Sequence, residues 1–320
     1  MVGQKGCRYC SATLLLAFFV FSCSSGKRPP VSPKVSPKAS AKAPSDAPGQ
    51  AFRQHIRRWQ KTRRAKLLSR GGWVSLSGLH WLQKGPNRIG SAKENEIVLG
   101  DHAPPLLATL SLEGKILRWR TEKNVEVLSA GKRIEQLDLR SDADPKGPHR
   151  LESSSFSFMV IVRGSRLALR IFDYQAKTRR DFGPLKYFPA DADWRIVATF
   201  EPHERKKTLK VDTVIGTREE IQSPGIVRFR RGEKRFELTA SYGNEEGVFI
   251  HFADTTNGSE TYGGGRFLWA PFVGERVILD FNQAYNPPCA FTLYATCPVP
   301  LPRNRLSRTV KAGEKTYETP

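Results

Sequence analysis

Polar and charged side chains concentrate in two runs near the C-terminal end of this 320-residue chain. The first run, DTTNGSETYGGGR, covers residues 254–266, and the second, DFNQAYNPPC, covers residues 280–289. Two carboxyl groups whose pKa values are shifted apart can act as acid and base in hydrolysis, for example of a glycan. The candidate catalytic residues are Asp254, Glu260 and Asp280.

The same two runs contain residue types that bind polar ligands. An arginine can form two parallel hydrogen bonds to a carboxylate or phosphate, and a tyrosine ring can stack on a sugar. These types predict a site for a small polar molecule or a glycan. The candidate ligand-binding residues are Thr255, Tyr262, Arg266, Asn282, Tyr285 and Asn286.

A structural interpretation of these runs is equally open. Each run follows an apolar segment that is typical of a strand, so its polar residues belong to a loop at the strand exit. Asn257-Gly258 and the three glycines 263–265 are also typical of turns in a long hairpin. An aspartate paired with Arg266 is equally consistent with a buried ion pair that stabilises the fold.

The N-terminus has the features of an export signal. Lys5 and Arg8 precede an apolar run, residues 12–21, that is too short to span a bilayer as a helix. The run ends in Val-Phe-Ser-Cys, which resembles the lipobox of bacterial lipoproteins, so residues 1–23 are a predicted lipoprotein-type signal peptide with lipidation at Cys23. We therefore expect a lipoprotein anchored in the bacterial cell envelope, on its periplasmic or outer-membrane face; ordinary signal cleavage and an uncleaved anchor remain alternatives.

Two cysteines remain in the folded part, because Cys7 and Cys10 leave with the signal peptide. An oxidising compartment favours a disulfide between Cys289 and Cys297, which closes a short loop. With His251 the two cysteines lack the compact spacing of structural zinc, so no metal site is predicted. The chain also has no Walker, Rossmann or His-Glu-x-x-His motif, and no cofactor is predicted.

The first 70 residues hold +14 of the net charge of +21. Residues 24–50, rich in Pro, Ser, Ala and Lys, form a predicted disordered tether, and residues 51–72 a basic amphipathic helix. Its cationic face suits either solvent or an anionic lipid surface, whereas nucleic acid is disfavoured because the chain leaves the cytoplasm. The cations are Arg53, Arg57, Arg58, Lys61, Arg63, Arg64, Lys66 and Arg70.

Short alternating segments separated by turns predict a mostly β protein after the helix. We expect a β-sandwich over residues 73–172 and a second β-rich lobe over residues 173–320, with a strand at residues 291–295 among those of the second lobe. The segment NRIGSAKENEIVL, residues 87–99, resembles the early strands of the forkhead-associated sandwich. Ser91 stands where that fold has a phosphate-binding arginine, and residues 103–107 lack its Ser-x-x-His loop, so phosphopeptide binding is not predicted.

Four blocks together resemble one bacterial and archaeal family, catalogued as domain of unknown function 1684, over residues 55–317. The blocks are GWVSLSGLHWLQKGPNRIG, FADTTNGSETYGGGRFL, LDFNQAYNPPCAF and ATCPVP. The resemblance implies a fold and an envelope setting but no assigned activity. The sequence therefore predicts an envelope protein whose second lobe has a site that binds a polar small molecule or glycan, with hydrolysis as a candidate reaction. The alternative is a non-catalytic scaffold or protein-interaction module.

Overall fold

The computed structural model describes residues 47–318 and the side chains of residues 49–318, all within one compact unit. The predicted signal peptide, Cys23 and most of the tether lie outside the described residues. The mostly β prediction is confirmed, because three sheets account for most of the regular structure. No helix among the described residues is long and apolar enough to cross a membrane.

A single long helix, α1, precedes the sheets and covers residues Ala47–Leu68. It buries Ile56 and Leu67 almost completely, as the helical spacing of its apolar residues predicts. Just after the helix, Gly71 adopts a positive φ of 74°. A Cβ atom at the next residue, Gly72, would lie 2.1 Å from the carbonyl oxygen of Leu67, so both positions require glycine. The predicted helix therefore exists, but it begins and ends four residues earlier than expected.

Two sheets pack face to face and form a sandwich in the N-terminal half. The first has the strand order β1-β11-β10-β9-β6-β7 and the second β3-β2-β4-β5-β8. Their shared core includes Trp119 and Phe158, one from each sheet, with ring centroids 5.3 Å apart. The strands are β1 (Leu76–Trp81), β2 (Gly85–Gly90), β3 (Ile97–Val98), β4 (Ala108–Glu113), β5 (Ile116–Thr121), β6 (Leu128–Ser129), β7 (Lys132–Arg133), β8 (Gln136–Asp138), β9 (Leu151–Ser153), β10 (Phe156–Arg163) and β11 (Arg166–Asp173).

A third sheet of seven strands forms the second lobe, in the order β14-β13-β12-β18-β17-β16-β15. Every pairing in it is antiparallel. The two edge strands of this sheet, β14 and β15, are separated by only two residues in the sequence. The sheet therefore curls around its own core, which includes the fully buried residues Leu238 and Leu268. The strands are β12 (Arg195–Asp212), β13 (Arg218–Arg231), β14 (Lys234–Thr239), β15 (Tyr242–Asn244), β16 (Gly247–Phe252), β17 (Arg266–Val273) and β18 (Arg276–Asp280).

The segment after β18 does not contain the strand predicted at residues 291–295. Pro287 and Pro288 precede it and Pro298 follows it, and proline cannot donate to a β-ladder. The segment lies instead against the sandwich, where the Thr292 hydroxyl donates to the Leu76 carbonyl at 2.9 Å. Phe291 and Ala295 are buried in this packing, whereas Leu293 is 95% exposed, so the apolar residues do not share one face as they would in a half-buried strand.

Candidate functional site

The polar loop between β16 and β17, which we call the ion-pair loop (residues 253–265), is closed at its base by a buried salt bridge. Arg266 Nη2 lies 2.6 Å from Asp254 Oδ2, and both side chains are fully buried. The other carboxylate oxygen, Asp254 Oδ1, accepts hydrogen bonds from the backbone and hydroxyl of Thr256 at 2.9 and 2.7 Å, and from Val310 N at 3.2 Å. Asp254 therefore has no free lone pair directed toward solvent.

Arg266 is bonded within the protein on its other side as well. Its guanidinium donates to the carbonyl oxygens of Ala312 and Val310 and lies over the Phe252 ring, 5.2 Å from the ring centroid. Burial lowers the pKa of Arg266, and Asp254 opposes that shift. The arrangement fixes the C-terminal segment against the lobe, which is the structural alternative left open by the sequence.

Two candidates in and beside this loop do reach solvent. Glu260 is partly exposed, and its carboxylate lies 3.2 Å from Lys311 Nζ. Thr255 is exposed, and its hydroxyl is 2.9 Å from that of Thr309. Tyr262 is partly buried and donates to the Cys289 carbonyl at 3.2 Å, which joins this loop to the segment that follows β18.

Asp280 belongs to a separate hydrogen-bonded group at the end of β18. Its Oδ1 accepts from the backbone and side-chain nitrogens of Asn282, at 3.1 and 2.9 Å. The Asn282 amide in turn bonds both backbone groups of Asp191, at 2.9 and 2.8 Å. No hydrogen bond among the described residues joins this group to Asp254 or Glu260, so Asp280 is held by its own partners at the end of β18.

Tyr285 and Asn286 lie in a third group, organised around Glu314, which the sequence analysis did not identify. Glu314 is fully buried, accepts from Arg63 Nε at 2.9 Å and from Asn286 N at 2.8 Å. The Arg63 guanidinium lies 4.5 Å from the Tyr285 ring centroid, and burial raises the pKa of Tyr285 to about 12. The available signal was the position of Arg63 seven residues after Ile56, on the apolar face of α1.

The basic helix is therefore not uniformly cationic toward solvent. Arg63 and Arg64 turn toward the protein, and Arg64 donates to the Phe182 carbonyl at 3.2 Å. The remaining cations of the helix, and Arg70 just beyond it, have exposed side chains.

A cavity of about 580 Å³ lies between the sandwich and residues 289–294, and we call it the cleft. Its wall combines residues from β1, from β11 and from the segment after β18, and apolar residues predominate. Leu293 is 95% exposed, Val98 46% and Tyr294 41%, and all three line the cleft. The apolar wall residues are Leu76, Val98, Leu99, Phe156, Ile171, Ala176, Ala290, Phe291 and Leu293.

Cys289 forms part of the cleft wall, and Cys297 is buried behind it. Both are thiols in this structure, and Cys289 N lies 3.3 Å from Cys297 Sγ. A hydrogen bond from the Cys297 thiol stabilises the Cys289 thiolate and lowers the pKa of Cys289 to about 7. The disulfide remains a prediction, with the two residues in contact.

Ser155, His102 and Asp173 form another cluster beside the cleft, with the residue types of a catalytic triad. The Ser155 hydroxyl donates to Asp173 Oδ1 at 2.8 Å, and the same His102 nitrogen, Nε2, lies 3.1 Å from the hydroxyl and 3.2 Å from Asp173 Oδ2. A relay needs the aspartate on one ring nitrogen and the serine on the other. These three side chains therefore form a hydrogen-bonded cluster and not a nucleophilic triad.

The loop positions that bind phosphate in forkhead-associated domains have other partners here. The Ser91 hydroxyl donates to the Ala103 carbonyl at 2.8 Å, and the Asn95 amide donates to the Pro105 carbonyl at 2.7 Å. In addition, no three His, Cys, Asp or Glu side chains among residues 47–318 are grouped as metal ligands.

Comparison with solved structures finds several similar chains, and two of them follow. An uncharacterized protein of Haloarcula marismortui, solved by NMR, is 30% identical, with 43% of this chain and 79% of that chain covered and a TM-score of 0.36. The FhaA FHA domain, crystallised with the intracellular domain of another protein, is 10% identical over 29% of this chain and 96% of that chain, with a TM-score of 0.21. No curated protein matches the sequence.

The family match covers the second lobe. It runs from residue 180 to residue 315 and so includes the ion-pair loop, the Asp280 group, both cysteines and Glu314, whereas the block at residues 72–90 and helix α1 lie outside it. Residues 180–315 therefore match the family described as protein of unknown function (DUF1684).

Proposed function

We propose that this protein is an exported, lipid-anchored component of the bacterial cell envelope that binds a small molecule with an apolar body in the cleft. In this proposal Cys23 carries the lipid and residues 24–50 form the tether. The protein acts as a small-molecule binding module, but the cleft replaces the polar or glycan site that the sequence analysis predicted in the second lobe.

The observation that carries the proposal is the exposed apolar rim. A leucine that is 95% exposed beside an apolar cavity gains free energy whenever a ligand covers it. The volume of about 580 Å³ lies within the range of small-molecule sites, which are mostly apolar with a few polar groups. Ser77, Thr178 and Tyr294 supply such groups on the cleft wall.

The hydrolytic alternative has less support from the geometry. A general acid or base needs an atom that is free to meet the substrate. Asp254 and Asp280 are each bonded within the protein, and Glu260 faces Lys311. Among the candidate residues of the ion-pair loop, Thr255 is exposed, and Glu260 and Tyr262 are partly exposed.

Binding of an apolar fluorescent probe, 1-N-phenylnaphthylamine, to the full chain tests the proposal. Leu293→Ser should weaken probe binding about tenfold, because burying a leucine side chain contributes about 1.5 kcal/mol or more. The matched control is Val273→Ser, which alters another exposed apolar residue, 60% exposed and outside the cleft.

Equal affinity of the two variants would contradict the proposal, as would the absence of saturable binding to the natural sequence. Retained binding by Val273→Ser together with weakened binding by Leu293→Ser supports it. Competition by saturated fatty acids would then separate an acyl chain from a compact aromatic ligand.

A further inference from the structure

We propose that Cys289 and Cys297 form a redox-active dithiol that exchanges with a small disulfide bound in the cleft. This inference rests on the proposed function in one respect, since the cleft must admit the disulfide to the sulfur of Cys289. It assigns a chemical class to the ligand and a covalent step to the site.

The positions of the two thiols suit the two roles that such an exchange requires. Cys289 lines the cleft and is partly exposed, so its sulfur can meet a ligand, whereas Cys297 is 5% exposed and cannot. The 3.3 Å separation between Cys289 N and Cys297 Sγ brings the buried sulfur within reach of its neighbour. Cys289 is therefore the attacking residue and Cys297 the resolving one.

The surroundings of the pair favour a thiolate on Cys289 before the exchange. The bond from the Cys297 thiol raises the pKa of Cys297 and lowers that of Cys289 to about 7, so the accessible sulfur loses its proton first.

Arg170 provides a positive charge for the second step of the exchange, in which Cys297 attacks the mixed disulfide on Cys289. Its side chain is 4% exposed, and its guanidinium forms no salt bridge with a carboxylate among residues 47–318. Its Nη2 lies 3.3 Å from the hydroxyl of Thr296, which directly precedes Cys297, and its Nε has no hydrogen-bond partner in the described structure. A buried guanidinium without a counter-ion favours an anion nearby, and its charge lowers the pKa of Cys297.

The bound disulfide is the only oxidant that this exchange requires. The Cys289 thiolate attacks one sulfur of the bound disulfide, which forms a mixed disulfide and releases the first ligand thiolate. Cys297 then no longer donates to Cys289, gives up its proton to the released thiolate or to water, and attacks Cys289 Sγ. The Cys289–Cys297 disulfide forms, the second ligand thiolate leaves, and the dithiol is oxidised while the ligand disulfide is reduced to two thiols.

Glutathione disulfide added to the reduced full-length protein tests the inference. Both cysteines fall in one tryptic peptide, residues 277–303, which contains no other cysteine and no internal Lys or Arg, so Cys7, Cys10 and Cys23 do not interfere. Mass spectrometry of this peptide should show an intramolecular disulfide in the natural sequence. Cys297→Ser should instead accumulate glutathione on Cys289, and Cys289→Ser should remain unmodified at Cys297.

A rate comparison separates a reactive thiol from a merely structural one. At pH 7 Cys289 of the reduced natural sequence should be alkylated by iodoacetamide about threefold faster than in the same protein unfolded in urea, because the Cys297 thiol leaves more of it as thiolate. An equal or slower reaction in the folded protein overturns the inference. Arg170→Met should accumulate the mixed disulfide at Cys289, and Arg170→Lys, which keeps the charge, should restore resolution; equal behaviour of the two variants removes Arg170 from the mechanism.

Failure of this inference is distinguishable from failure of the proposed function. Leu293→Ser leaves both thiols in place, so it should weaken phenylnaphthylamine binding while the Cys289 thiolate keeps its reactivity toward iodoacetamide. Probe binding with an unreactive Cys289 refutes the exchange alone. A reactive Cys289 in a protein that binds no probe refutes the apolar ligand and leaves the dithiol.

Discussion

The ion-pair loop and the segment 288–297 differ in how much of their bonding capacity and apolar surface remains accessible to a ligand. The loop has the residue types of an active site, yet Asp254 and Arg266 direct their bonds to each other and to backbone groups. The segment has few polar residues, yet it leaves Leu293 exposed and Cys289 on the wall of a cavity. A binding site is marked by unused bonding capacity and uncovered apolar surface, and the residue types alone do not reveal either.

The strongest test of this contrast is Arg266→Ala. It should destabilise the protein by about 3–5 kcal/mol in urea unfolding, because it leaves the Asp254 carboxylate buried without its cation. Arg228→Ala is the matched control, since Arg228 pairs with two glutamates at the surface, and it should cost less than about 1 kcal/mol. Leu293→Ser should change stability by no more than about 0.5 kcal/mol. Similar values for all three would remove the distinction between the two regions.

Glu314→Gln extends the comparison to the group that holds helix α1. Removing the charge leaves Arg63, 12% exposed, without its carboxylate, and should cost about 3 kcal/mol of unfolding free energy. Arg57→Ala, on the exposed side of the same helix, is the control and should be nearly neutral. A neutral Glu314→Gln would mean that apolar packing of Ile56 and Leu67 alone holds the helix.

A pH titration of protein stability tests His251, which contacts the ion-pair loop, and should show a smaller effect. His251 is buried and donates from Nε2 to the Gly264 carbonyl at 2.9 Å, and burial lowers its pKa from 6.5 to about 4. The unfolded chain therefore binds a proton that the folded chain excludes, so the stability from this group is complete above pH 6.5 and declines as the pH falls toward 4. The decline should reach about 3 kcal/mol.

His251→Gln serves as the reference for this titration, because glutamine keeps a donor for Gly264 but does not ionise. Urea unfolding at several pH values should show a weaker acid dependence in the variant than in the natural sequence. Identical pH profiles would show that His251 is not held neutral by the fold.

Much of the fold could be predicted from local patterns. The helix and the mostly β class followed from the spacing of apolar residues. A buried pair between an aspartate and Arg266 was one of the stated alternatives, and the structure identifies the aspartate as Asp254. The strand predicted at residues 291–295 was wrong, because prolines flank the segment and Leu293 is exposed while Phe291 and Ala295 are buried. The bond from Arg63 to Glu314 joins residues 251 positions apart, and no local pattern reports such a distance.

That bond also sets an order of events during synthesis. Arg63 lies near the start of the described chain and Glu314 near its end, so the helix emerges long before its anion exists. Until then α1 lacks this salt bridge, and contacts with earlier residues, such as the bond from Arg64 to the Phe182 carbonyl, are available to hold it. Full docking of helix α1 therefore requires Glu314, which lies 251 positions after Arg63.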